Sequence, residues 1–208
     1  MKGDALGEGI VELISRARPR TVGLDLSGSE ERPSGWALLI GLEARTSLPR
    51  ADDEILDLTW RAEPRLVAID APLTLPRGGS MREVDRLMHR LGLPVLPPLM
   101  PAMEKLTMRG IRMAKALRAK GLQVIEVHPT STRKVLGLPA KGRKAIQEAL
   151  LEMGFKGDLE ERDLTIHELD AITAALTASL HLLGLSELVR AGDGEICIPR
   201  RGIHAESR

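Results

Sequence analysis

Apolar residues in this chain fall into short runs that end on an acid. Val22, Leu24 and Leu26 alternate with Gly23 and Asp25, the two-residue period of a strand with one buried face, and the chain turns at Ser27-Gly28. Leu66-Val67-Ala68-Ile69-Asp70 repeats the arrangement, and Gln123-Val124-Ile125-Glu126 gives it a third time. Residues 36–42 and 43–48 read as two further strands, with Gly41 at their turn, so a hairpin follows the first strand.

Helical spacing fills the intervals. Residues 4–18 form an amphipathic helix that Pro19 stops. Residues 51–63 form another, with Asp52 and Asp53 in its first turn, where acids favour the positive end of the helix dipole. A strand, this helix and a second strand imply a crossover with parallel strands. Residues 81–91 and 102–120 read as helices on either side of a proline-rich loop over 93–101, which can be neither regular helix nor central strand. That loop is apolar enough for a homodimer contact or a lid, or it packs within the domain.

After the strand at 122–127, Thr130 or Ser131 can cap a short helix, and another runs from 141 to 153. Residues 154–162 read as a charged loop. The clearest helix covers 165–183, where Thr165 and Glu168 fit a capping box. Residues 194–199 suit a short edge strand. The whole is an α/β domain: a mixed five-stranded sheet, its first three strands antiparallel and the later ones parallel by crossover, flanked by helices. The 208 residues suit one domain with a core over about 20–185, an inserted basic helical segment at 77–120 and a tail at 186–208.

Composition narrows the chemistry. Trp36, Trp60 and Phe155 are the only aromatic residues, so the core is aliphatic and recognition of nucleic acid by aromatic stacking is disfavoured. Cys197 stands alone, which excludes an internal disulfide and a cysteine zinc site. No signal peptide and no bilayer-long apolar run is evident, so a cytoplasmic protein with no membrane partner is expected. The net charge of +1 says little, but residues 77–120 carry ten Lys and Arg against three acids. Such one-sided charge, with Lys141, Arg143 and Lys144 beyond it, suits contact with a phosphate backbone, or else a solvated face.

If the acid-bearing strands are parallel neighbours, Asp25, Asp70 and Glu126 collect at one sheet edge. His167 and Asp170 lie three apart near the start of the last long helix and share a face. Gathered carboxylates repel one another and need cations, and oxygen ligands favour Mg²⁺ or Mn²⁺. Two such ions can activate a water and stabilise the leaving oxygen of a phosphodiester. On this reading Asp25 bridges two ions and Asp70 and Asp170 hold one each. Glu126 or His167 serves as an auxiliary ligand or proton carrier. His128 either moves a proton, touches phosphate or caps its turn.

The residues Val22-Gly23-Leu24-Asp25, Trp36-Ala37, Ala68-Ile69-Asp70-Ala71-Pro72-Leu73, Arg82 with Asp85, Glu126-Val127-His128-Pro129 and Glu168-Leu169-Asp170-Ala171 together resemble a family of predicted nucleases with the ribonuclease H fold. The likeness covers roughly residues 20–185. It implies a ribonuclease H-like sheet and places Arg82 and Asp85 along the cleft. In the wider superfamily, Holliday-junction resolvases use a first-strand Asp, a fourth-strand acid and two polar residues three apart on the last helix. Asp25, Asp70, His167 and Asp170 match those places, whereas Glu126 has no clear counterpart there. The function expected is a metal-dependent nuclease, with Arg82, Asp85, Arg109, His128 and Lys141 as substrate contacts. The alternatives are a non-catalytic nucleic-acid-binding module and an actin-like phosphotransferase; the same fold carries all three.

Overall fold

The structure, a computed structural model, describes residues 9–202. After α1 (Ile10–Ala17), strands β1 (Arg20–Asp25), β2 (Gly35–Ile40) and β3 (Glu43–Ser47) form an antiparallel meander. Helix α2 (Asp52–Arg61) crosses to β4 (Leu66–Asp70), which pairs parallel with β1. Helices α3 (Glu83–Arg90) and α4 (Glu104–Ala119) lead to β5 (Val124–Glu126), parallel to β4. Helices α5 (Pro129–Leu136) and α6 (Arg143–Glu152) follow, then β6 (Lys156–Gly157), α7 (Asp158–Glu161) and α8 (Ile166–Leu182). The chain closes with a hairpin of β7 (Ser186–Ala191) and β8 (Gly194–Pro199). The main sheet has the order β5-β4-β1-β2-β3-β6. Its first five strands, with three antiparallel and β1, β4 and β5 parallel, are the ribonuclease H-like arrangement; β6 adds a sixth at the far edge.

Alternation along the strands decides which acids meet. On β1, Val22 and Leu24 enter a core with Val67 and Ile69 of β4, Ile55 of α2 and Met113, Ala114 and Leu117 of α4. The intervening residues face α8: Thr21 Oγ1 donates to the Ala175 carbonyl at 2.9 Å, and His167 Nδ1 donates to Asp25. On β4, Leu66 and Ala68 likewise pack against Ala174 and Ala178 of α8. By the two-residue period Asp70 shares that face, and it stands in register beside Asp25. Ile69 pairs with Glu126 in register, so Glu126 points to the opposite face of the sheet.

Helix α8 lies almost on the backbone of the sheet. A Cβ at Gly23 would collide with the Ala171 carbonyl, and one at Gly35 with the carbonyl of His167. Two side-chain-free positions therefore let the first turns of α8 settle beside the ends of β1 and β2. The capping box forms: the Thr165 N–H donates to Glu168 Oε2 at 2.8 Å, and the Glu168 N–H donates to Thr165 Oγ1 at 3.3 Å. That fixes where α8 starts, and so the height of His167 and Asp170 above the sheet.

Four stretches depart from the sequence expectation. Residues 154–162 are not all loop, because Phe155 and Leu159 are buried and draw β6 and α7 onto the core. Helix α5 begins at Pro129 with His128 in the cap position, since proline suits the first helical turn. Helix α4 belongs to the core as the crossover between β4 and β5; its basic residues include Arg109, which is buried. Residues 194–199 pair with β7 in a separate two-stranded sheet, which touches the main body through a bridge between Val127 and Cys197. Asp193, at the tip of that hairpin, caps α3 by accepting from the Glu83 N–H at 2.7 Å and the Val84 N–H at 3.3 Å. The proline-rich loop packs within the domain: Leu93 and Val95 join Val84, Met88, Ile196 and Ile198 in a small core. Among the described residues no helix is long and apolar enough to cross a membrane.

Candidate active site

A cavity of about 220 Å³ opens at the carboxyl ends of β1 and β4. Asp25 and Asp70 line it with His128, and Arg82, Asp85 and Glu126 line it too. Pro72, Val95, Leu96, Met103, Leu106 and Ile196 make the rest of the wall largely apolar. The proline-rich loop thus roofs the acids with aliphatic groups.

Two charged clusters meet at this cavity. In the first, Arg82 lies between Asp85 and Glu126, with 1%, 0% and 7% of each residue exposed. Arg82 Nη2 donates to Asp85 Oδ1 at 2.8 Å and Glu126 Oε1 at 2.5 Å; Nη1 donates to Glu126 Oε2 at 2.8 Å and Thr74 Oγ1 at 2.9 Å; Nε donates to Asp85. All five guanidinium protons are used. Glu126 also accepts the Leu73 N–H at 2.7 Å, which pins the turn after β4. Burial works against the Arg82 charge, but the bonds to Glu126 and Asp85 raise its pKa, so the group stays ionised.

In the second cluster, His167 Nδ1 donates to Asp25 Oδ2 at 2.6 Å and Arg133 Nη1 donates to Asp170 Oδ1 at 2.5 Å. The Asp70 side chain has no hydrogen bond among the described residues. Burial pushes the Asp25 carboxyl above its usual range, against the hydrogen bond from His167. Burial pushes Asp70 well above its range, and the charges of Asp25 and Asp170 push the same way. The bond to Asp25 raises the pKa of His167 and favours its imidazolium. Burial, with the charges of Arg133 and Lys134, lowers His128 to about 4, so it is neutral at pH 7. His128 Nδ1 shares a hydrogen bond with Ser131 Oγ at 2.7 Å.

The structure therefore brings together Asp25, Asp70, His167 and Asp170 on the α8 side, with His128 at the cavity wall. Glu126 departs from the expected auxiliary role: its side chain leaves the sheet on the other face and is spent on Arg82 and Leu73. Arg82 and Asp85 line the cleft, but as a closed ion pair with no guanidinium proton left for substrate. Arg109 is 1% exposed and does not face substrate either. Its Nε donates to Asp52 at 2.7 Å, and its Nη atoms donate to Ser27, Ser29, Ser34 and Arg50 oxygens, stapling the β1–β2 loop to the start of α2. Lys141 is exposed between α5 and α6 and does not line the cavity.

Sequence reasoning missed Arg133. It is 2% exposed, its charge favours ionised Asp25 and Asp70, and its Nε is buried without a partner among the described residues. The only signal was an arginine in a short helix among buried Ser131, Thr132 and Leu136, since its partner Asp170 lies 37 residues away.

The all-oxygen donor set suits a hard divalent cation. Among the described residues, however, no three of the His, Cys, Asp and Glu side chains converge on one metal position. The two-ion arrangement with Asp25 as bridge is not preassembled, because Asp170 is turned to Arg133 and Asp25 is shared with His167. Asp25 and Asp70 remain as a pair. One or two carboxylates, with water and substrate phosphate, is a common holding for Mg²⁺, so the pair fits one such ion.

Strand order, strand-end acids and the closely seated last helix define a ribonuclease H-like α/β domain. The family model described as "Protein of unknown function (DUF429)" matches residues 23–193, and the chain belongs to that family. No curated protein matches the sequence. Solved structures similar to it include Thermus thermophilus RuvC in complex with Holliday junction substrate and Thermus thermophilus RuvC alone. Each is 14% identical, with 85% of this chain and 99% of that chain covered and a TM-score of 0.46.

Proposed function

We propose that this protein is a nuclease, a phosphodiester hydrolase that works with Mg²⁺ or Mn²⁺ held by Asp25 and Asp70. The observation that carries the reading is the register pairing of these two acids at the ends of adjacent parallel strands, half-buried, mutually repelling, and open to a cavity. Ordinary structural acids acquire partners, as Glu126 has; Asp70 has none among the described residues. A divalent ion there would polarise the phosphoryl oxygen and acidify a bound water.

The chain's own groups set the rest. His167 holds its Nδ1 proton against Asp25 and has Nε2 without a partner among the described residues, suited to give a proton to a leaving oxygen. His128 is neutral and can accept or donate a hydrogen bond at its second nitrogen. Exposed cations of α3 and α4, among them Arg86, Arg90, Arg112 and Lys115, supply grip on a phosphate backbone that does not depend on sequence.

The test is calorimetric titration with Mn²⁺ and Mg²⁺, beside an Asp25→Asn/Asp70→Asn variant, followed by cleavage of labelled single-stranded, duplex and branched nucleic acids. Saturable binding and cleavage, both lost in the variant, are expected. Nucleic-acid binding of equal strength in both proteins, with no cleavage by either, would instead identify a non-catalytic binding module.

A further inference from the structure

We propose that Arg133 takes the place of a second metal ion, so that the site holds a single divalent cation between Asp25 and Asp70. The inference rests on the metal-dependent reading above and concerns how many ions the acids accept.

Three carboxylates stand within electrostatic reach of one another, since Asp25 and Asp170 both act on Asp70. Their combined charge needs compensation in a largely buried place. The chain supplies part of it. The Arg133 guanidinium donates to Asp170 Oδ1 at 2.5 Å and to Thr173 Oγ1 at 3.2 Å, and reaches the Ala140 carbonyl at 3.4 Å. Its charge also favours the ionised forms of Asp25 and Asp70.

Position and rigidity set Arg133 apart from a casual ion pair. It is 2% exposed, and α5, which carries it, is locked to α8 by a hydrogen bond of 2.7 Å between Thr132 Oγ1 and Thr177 Oγ1. Its Nε is buried with no partner among the described residues. A buried donor left unsatisfied is costly, and an arginine placed only for packing would have no reason to incur that cost. A guanidinium fixed on Asp170 occupies the carboxylate that a second ion would need. It supplies permanent positive charge, because arginine does not deprotonate in proteins. A divalent ion entering at Asp170 would also meet this cation at close range.

The readout is the number of Mn²⁺ ions bound by the full chain, from titration calorimetry and from the electron paramagnetic resonance spectrum at saturation. One ion per chain with the spectrum of an isolated Mn²⁺ is expected. Two ions, or the spectrum of an exchange-coupled pair, would overturn the proposal and leave the metal-dependent reading intact. No binding at all would remove both. Arg133→Gln is expected to admit a second ion and give a coupled spectrum, while Arg133→Lys keeps the count at one. A folded Arg133→Gln variant that still binds one ion with unchanged affinity would show that Arg133 does not compete with metal. If that variant fails to fold, the count and spectrum of the native protein still decide.

Discussion

The two charged clusters at the cavity use similar residues to opposite ends. Around Arg82 every donor proton has an acceptor, and both carboxylates are held by the one guanidinium. Around Asp25 and Asp70 the acids outnumber their partners, and Asp70 has none among the described residues. A satisfied buried network fixes shape, whereas an unsatisfied one stores an appetite for an external cation or proton. The Arg82 cluster holds the turn after β4, and thereby part of the wall around Asp25 and Asp70. One cluster builds the cavity, and the other carries the chemistry proposed for it.

That contrast can be broken most directly at Asp25. Asp25→Asn should lower cleavage on the order of 10³-fold, about 4 kcal/mol of barrier, with little loss of thermal stability. A comparable fall in melting temperature would place Asp25 with the structural cluster. Arg82→Met should do the reverse and destabilise the fold by about 3–5 kcal/mol, as expected when one partner of a buried ion pair is removed, measured by urea denaturation. An Arg82→Met protein as stable as the native one would remove the distinction.

A third test uses pH. His128 titrates near 6.5 when unfolded and at about 4 in the fold, so between these values the unfolded chain binds more protons. Its contribution is complete above pH 6.5 and is lost as pH falls towards 4, to a limit of about 3 kcal/mol. His128→Asn should flatten the fall of stability over that window; an unchanged slope would assign the pH dependence to other groups.

The smallest effect carries the most specific sign. Burial and its neighbours raise the Asp70 carboxyl, so ionised Asp70 is less welcome in the fold than in the unfolded chain. The stability lost to it grows as pH rises from about 3.8 through its raised value. Asp70→Asn should therefore stabilise the protein at pH 7, read as a higher melting temperature than that of the native protein. The gain should shrink towards pH 3. A destabilised Asp70→Asn at neutral pH would show that the carboxylate is satisfied after all.

Much of the fold could be read from the chain because its signals are local. The alternation in β1, the apolar run of β4, the capping box at Thr165 and the glycine at the β2–β3 turn each depend on neighbours in sequence. The same period of two, applied one strand further, would have warned that Glu126 pairs with Ile69 and faces away from Asp70. The three strand-end acids do line one cavity, but that phase turns Glu126 onto Arg82 and Leu73. Arg82 and Arg109 were legible as charge but not as buried charge, because their acceptors are backbone oxygens and acids up to 82 residues away. Arg133 lay beyond reach for the same reason. Hairpin β7–β8 is only half visible in the sequence, since Leu188 and Val189 stand side by side between Glu187 and Arg190 and are only partly buried.

The cap that Asp193 places on α3 joins residues 110 positions apart, and Ile196, three residues further on, closes the cavity wall. A contact that closes so long a loop carries a large entropic cost and little local support. The hairpin end of the wall is therefore expected to open before the sheet does. Such opening would admit water to Asp25 and Asp70 without disturbing their register, and amide hydrogen exchange faster at β7 and β8 than at β1 and β4 would report it.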